Sequence, residues 1–145
     1  KKVTEKSKEN PVFYVQYAHA RIHSVFRNWN ETNKKKFDEE ISNMSSNFDL
    51  ITDPNEIDII KNMSYFPMVI RNALITNDIH KIAYYLHDLA SEFHSLWNHG
   101  NDHSEMRFII ENKELTQQRL CLIYCVAGII KSGMDILGVS CPESM

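Results

Sequence analysis

Three side chains near the start of the sequence could hold a flat, negatively charged ligand. They are Tyr14, Tyr17 and Arg21, in the stretch "ENPVFYVQYAHARIHSVFR" that runs from Glu9 to Arg27. Their spacing returns them to one flank of an α-helix, which turns about 100° per residue. Aromatic faces stack on unpaired nucleobases for about 1–3 kcal/mol each, and a guanidinium can stack beside them or pair with phosphate. The same residue types also form the ordinary edge of a helical core, with a tyrosine hydroxyl bonded to a neighbouring arginine. Spacing alone leaves both readings open.

Other chemistries find less support. Seven histidines, among them His94, His99 and His103, raise the question of a metal. Their spacing is not that of a zinc site, which pairs ligands on tight turns or on an HExxH helix. Cys121 and Cys125 lie four apart in an apolar stretch, where thiols usually act as small core hydrophobes. With Cys141 they make an odd count of three, which favours a reducing compartment and free thiols. There is no glycine-rich phosphate loop, GxSxG elbow or Cys–His signature, so no catalytic residue and no metal ligand is assigned. Acidic pairs such as Glu39–Glu40 read as a solvated helix face.

The elements that would position the tyrosines follow from apolar periodicity. Asn10 suits an N-cap and Pro11 the first helical position, after which Val15, Ala18, Ile22, Val25 and Phe26 share one core-facing arc. Tyr14, Tyr17 and Arg21 fall on one edge of that arc, with Gln16 and His23 opposite. A second helix is expected over Phe37, Ile41, Met44 and Phe48, with Lys34 to Lys36 and Asp38 to Glu40 outward. A third opens at Asp53 and Pro54 with Glu56 one turn in, carries Ile57, Ile60 and Met63, and should end or kink at Pro67. After a short piece from Met68 to Leu74, Asn77 is expected to cap a long helix bearing Ile79, Ile82, Ala83, Leu86, Leu89, Ala90, Phe93 and Trp97. The stretch "NHGNDHSEMRF" reads as a polar loop, and Glu114 to Ser132 as a last helix stopped by Gly133. No strand alternation or hairpin chemistry occurs. The expectation is an all-α helical bundle of about five to six helices.

The 145 residues fit one domain, with Lys1–Glu9 as a linker or helix extension and 10–145 as the helical unit. A first residue other than Met suggests a piece of a longer polypeptide. No apolar run approaches the ~20 residues of a membrane span, and no signal-peptide core follows the basic start, so a cytoplasmic protein without membrane contact is expected. A formal net charge of −3 argues against gripping nucleic acid along the whole surface, and any such contact must be local.

Four segments carry a family resemblance: the Glu9–Arg27 stretch; Tyr65-Phe66-Pro67 with Val69; "HKIAYYLHDLASEFHSLW" from His80 to Trp97; and the tail from Arg119 to Met145. Together they resemble the C-terminal anticodon-binding domain of bacterial-type arginyl-tRNA synthetases, which are class I aminoacyl-tRNA synthetases. The resemblance implies an all-helical bundle that holds the anticodon loop of tRNA(Arg). It also implies contacts at Tyr14, Tyr17, Arg21 and Arg27, with Trp97 and Met145 in the anticodon pocket. Trp97 stands where the family often has tyrosine, Ile79 where proline is common, and Gln118 where alanine is common. A HIGH-like motif and a KMSK-like loop are absent. By resemblance, ligation with ATP and Mg would belong to a catalytic domain of the same polypeptide, with no cofactor in this part. The alternative from the residues alone is a helical protein–protein interaction module whose aromatic flank docks a partner helix.

Overall fold

The structure, a computed structural model, describes residues 10–34, 36, 37, 41 and 47–145. Among these it contains five α-helices and no strand: α1 Pro11–Asn33, α2 Pro54–Ser64, α3 Phe66–Thr76, α4 His80–Asp102 and α5 Lys113–Ile136. A 3-10 turn, Ser104–Met106, follows α4. The all-α expectation is met, with the helix count among the described residues at the lower end of the expected five to six. Lys1–Glu9, Met44 and Asp38 to Glu40 lie outside the described residues. Of the expected second helix, Phe37 is buried and Ile41 and Phe48 pack against the core.

α4 is the centre of the bundle, packing against each of the other four helices. Its sequence explains why. Ile82, Leu86, Leu89, Ala90 and Phe93 recur at helical spacing and are all buried, giving an apolar stripe wide enough for neighbours on several sides. From α1, Val15, Ala18, Ile22, Val25 and Phe26 meet it as their periodicity requires. α5 closes the core with Leu120, Ile123, Val126 and Ile130.

Helix ends agree with the sequence at the start of the chain and depart from it later. Asn10 Oδ1 accepts from the Val12 and Phe13 amides at 3.0 and 3.5 Å, satisfying donors that have no partner within α1. Asp53 does the same for Asn55 and Glu56 at 2.9 and 3.4 Å. Glu56, however, turns inward to Arg119, and Ile59, not Ile57, is the fully buried residue of α2. Pro67 lies in the first turn of a new helix, directly after α2 ends at Ser64.

Asn77 ends α3 and does not begin α4. It adopts the left-handed conformation at φ 51°, and the Asp78 amide reaches back to Ala73 O at 2.9 Å. Asp78 Oδ1 then accepts from the His80 amide at 3.1 Å, and Ile79 is exposed. At its far end α4 continues through Asn98–Asp102, where the polar composition predicts a loop.

Gly133 does not stop α5. It lies within the helix, where a Cβ would come 2.7 Å from both Leu86 methyls, so glycine there permits close packing of α4 on α5. The stop is Gly138 at φ 71°, whose amide bonds Asp135 O while the Val139 amide bonds Met134 O, at 3.1 and 3.0 Å. Cys121 is half-buried and Cys125 exposed, so the pair is not the core filling expected of it.

Candidate nucleic-acid interface

The flank of α1 packs against α4 through rings and one cation. His94 and Trp97, three apart on α4, face Tyr14, Tyr17 and Arg21. The Arg21 guanidinium carbon lies 4.3 Å from the Tyr17 ring centroid and 4.9 Å from that of Trp97, which stacks the cation between two aromatic faces. Arg21 Nη2 donates to the Tyr17 hydroxyl at 2.9 Å. Its Nη1 lies 3.4 Å from His94 Nδ1. Since Arg only donates, Nδ1 is the acceptor and the His94 proton is assigned to Nε2, which faces Tyr14 O at 3.4 Å. The Tyr14 ring sits between His87 and His94, with centroids at 4.9 and 4.7 Å.

These contacts make the flank a layered assembly and not a row of free side chains. Tyr14, Tyr17, Arg21 and Trp97 are half-buried, so each keeps part of its surface in water. Their planar faces and guanidinium donors suit stacking on bases and hydrogen bonding to phosphate or base edges.

Beside the flank is a cleft of about 240 Å³. Ser24 and Asn28 of α1, Trp97 and Asn101 of α4, and Arg107 and Phe108 beyond it are among its walls. Three features set its shape. Phe108 is buried and stacked on Phe93 at 5.8 Å. At Gly100 a Cβ would lie 3.2 Å from Arg107 Cα and from Met106 O, so glycine lets the wall close on α4. From behind, Arg119 Nη1 donates to the carbonyls of Glu105 and Arg107 at 2.7 and 2.9 Å. The volume falls below the ~300–1,000 Å³ of drug-sized pockets and suits a single ring more than an extended ligand.

Arg27 and Met145 lie elsewhere. Arg27 is exposed on α1, and its Nη1 donates to Glu143 O at 3.0 Å, which places it beside the last residues of the sequence. Met145, two residues further on, is 54% exposed. Of the six residues expected at the site, the structure therefore gathers Tyr14, Tyr17, Arg21 and Trp97, and sets Arg27 and Met145 apart with the tail. Sequence reasoning missed His94 as a partner of the flank; its signal was the three-residue step to Trp97 on the clearest helix of the chain. His99 and His103 pair with each other, ring centroids 4.8 Å apart. Among the described residues no group of three or more His, Cys, Asp or Glu side chains is arranged to hold a metal ion.

The helices alone define a class, the all-helical bundles. Within it, residues 15–145 match the family model described as the DALR anticodon binding domain, and the chain belongs to that family. Curated relatives named arginine–tRNA ligase include those of Rhodopseudomonas palustris strain HaA2, 44% identical over 149 residues, and Rhizobium etli, 46% identical over 145. In both cases 99% of this chain is covered. The chain spans about a quarter of the length of these relatives, 25% in each. Among solved structures, the arginyl-tRNA synthetase of Thermus thermophilus is 25% identical with a TM-score of 0.66, covering 96% of this chain and 22% of its own. A solved structure from Campylobacter jejuni, 24% identical, shares the fold with a TM-score of 0.78, covering 99% of this chain and 28% of its own.

Proposed function

We propose that this chain is the anticodon-binding domain of an arginine–tRNA ligase, and that the flank of Tyr14, Tyr17, Arg21 and Trp97 receives bases of the tRNA(Arg) anticodon loop. The observation that carries this reading is the Arg21 guanidinium stacked between Tyr17 and Trp97 at the edge of a ring-sized cleft. Such a surface offers both the stacking faces and the fixed donors that splayed bases use. Arg27 and Met145 contribute from the tail side.

Ligation of arginine to tRNA, with ATP and Mg, belongs in this reading to a catalytic domain of the same cytoplasmic polypeptide. The net charge of −3 fits a domain whose affinity for tRNA is shared with that larger part.

The test compares folded variants of the full-length protein. Tyr17→Ala should weaken tRNA use by about 1–3 kcal/mol, the worth of one stacked base, while leaving arginine and ATP handling nearly unchanged. Arg21→Ala should flatten the salt dependence if the guanidinium meets phosphate and leave the slope unchanged if it stacks. Affinity is measured against cognate tRNA and against one with a substituted middle anticodon base. Wild-type affinity and wild-type discrimination in both variants would sink the assignment.

A second reading, a protein-interaction module, draws on the apolar surface of α3, where Leu74 and Ile75 are 77% and 70% exposed. Salt-insensitive capture of a protein in place of salt-sensitive tRNA binding would favour it.

A further inference from the structure

Beyond α5 the chain turns at Gly138 and runs back along α1. Leu137, Val139 and Cys141 pack against the core, while Ser140, Pro142 and Glu143 present their carbonyls to the helix. Gln16 Nε2 donates to Ser140 O at 2.7 Å, His19 Nδ1 meets Pro142 O at 2.9 Å, and Arg27 Nη1 donates to Glu143 O at 3.0 Å. A carbonyl only accepts, so the His19 proton is assigned to Nδ1. The three donors lie on the opposite edge of the core arc from Tyr14, Tyr17 and Arg21, given about 100° of turn per residue.

We propose that Gln16, His19 and Arg27 are positioning residues that seat residues 140–145 along α1, and that Arg27 acts on RNA through this tail and not by touching the RNA itself. The proposal rests on the anticodon-binding reading for its RNA half only. Every acceptor in the seat is a main-chain carbonyl, so the seat takes hold of the tail's path without using its side chains. Arg27 fixes Glu143 beside the turn of α1 that bears His23, where Glu143, His19, His23, Tyr124 and Lys131 line a second cleft on the opposite edge of the helix from the flank. Two further residues can extend at most about 7 Å, so Met145 stays close to that turn while remaining exposed. An arginine whose donor already holds the tail has its function in where the tail's end lies.

Cys141 supplies a readout that needs no RNA. It is half-buried within the seated tail, and burial pushes its thiol up to about 11. In the full-length protein, Arg27→Ala and Gln16→Ala should each speed iodoacetamide labelling of Cys141 by about tenfold, the scale of losing one hydrogen bond to a charged or well-placed donor. Labelling of Cys121 and Cys125, followed by peptide mass spectrometry, should stay within about twofold, because a single bond lost at the tail does not open the core. Unchanged Cys141 labelling in both variants, or a parallel rise at all three thiols, overturns the seat.

The RNA arm is a double-mutant cycle of Arg27→Ala with removal of residues 140–145. Arg27→Ala should weaken tRNA binding by about tenfold in the intact protein and by less than about twofold once the tail is gone. An equal loss in both backgrounds overturns the route through the tail and makes Arg27 a direct contact. Wild-type protein that binds no tRNA overturns the anticodon reading and the RNA half together, while the labelling arm decides the seat independently.

Discussion

Arg119 Nε donates to Glu56 Oε1 at 2.6 Å, with both side chains almost fully buried. The pair joins α5 to α2, while Arg119 Nη1 donates to the carbonyls of Glu105 and Arg107 and Nη2 lies 3.7 Å from Met106 Sδ. Burial pushes the Glu56 carboxyl up, and the hydrogen bond from Arg119 opposes it. One arginine thereby ties two helices to the wall of the cleft.

Breaking this pair from one side leaves a buried carboxylate without its cation. Arg119→Met should cost about 3–5 kcal/mol of folding stability, read from urea denaturation. Glu56→Leu combined with Arg119→Met should recover much of that loss, since an apolar pair carries no desolvation penalty. A single variant that loses less than about 1 kcal/mol would show that the pair contributes no more than an exposed one.

Gly133 faces Leu86 across the contact between α4 and α5. In an exposed helix, Gly→Ala would gain about 1 kcal/mol from propensity. Here the added methyl meets both Leu86 methyls at 2.7 Å, and Leu86 is buried with little room to move. Gly133→Ala should therefore be destabilising by about 1–3 kcal/mol, as for overpacked cores. Thermal denaturation showing a raised Tm would refute the tight contact.

Glu92 of α4 accepts from Asn62 Nδ2 at 3.0 Å through Oε1, while Oε2 is buried without a hydrogen-bond partner among the described residues. Burial pushes its carboxyl above the ordinary value of 4.5; the Asn62 bond opposes this and nearby Asp88 and Asp58 add to it. As pH rises the unfolded chain loses this proton first, so stability falls from pH 4.5 upward until the folded carboxyl has also ionised, and is level beyond. Glu92→Gln should abolish that part of the slope and unfold at a higher temperature than wild type near neutral pH. Parallel Tm-against-pH curves for the two proteins would contradict it.

Ile22 separates packing from the proposed recognition on the same helix. It is fully buried between the two edges of α1. Ile22→Ala should cost about 2–5 kcal/mol of stability, and any loss of tRNA use should track the unfolded fraction. Impaired tRNA use in a fully folded Ile22→Ala sample, checked by circular dichroism, would place that residue at the interface.

Much of the bundle was legible because its signals are local. The core arc of α1, the caps at Asn10 and Asp53, and the α4 stripe each follow from a period or from one side chain satisfying nearby amides. The misreadings arose where one residue type serves two purposes. Asparagine caps a helix start but also tolerates the left-handed turn that ends one, and Asn77 does the latter. Glycine breaks helices but also admits close neighbours, and Gly133 does the latter. Glu56 suits a capping box by position, yet its partner is 63 residues away. Gln118 likewise is spent on the Asp49–Leu50 turn, holding the Leu50 amide and Asp49 Oδ1 at 3.0 and 2.9 Å. At the candidate site, the tyrosine and arginine spacing identified the flank, but nothing local could show that His94 and His87 cover Tyr14.

Because Arg21 already occupies faces of Tyr17 and Trp97, the flank carries its own competitor. A ring arriving from that side must displace a cation–π contact worth about 0.5–2 kcal/mol or slide in alongside it. Weak aromatic encounters fall below that threshold and leave the surface as they found it. A ligand that supplies a partner for the displaced guanidinium recovers the cost, so a base arriving with its phosphate is favoured over a bare ring. On the proposed anticodon reading, selectivity of this kind would reside in the unliganded protein, ahead of any base-specific hydrogen bond.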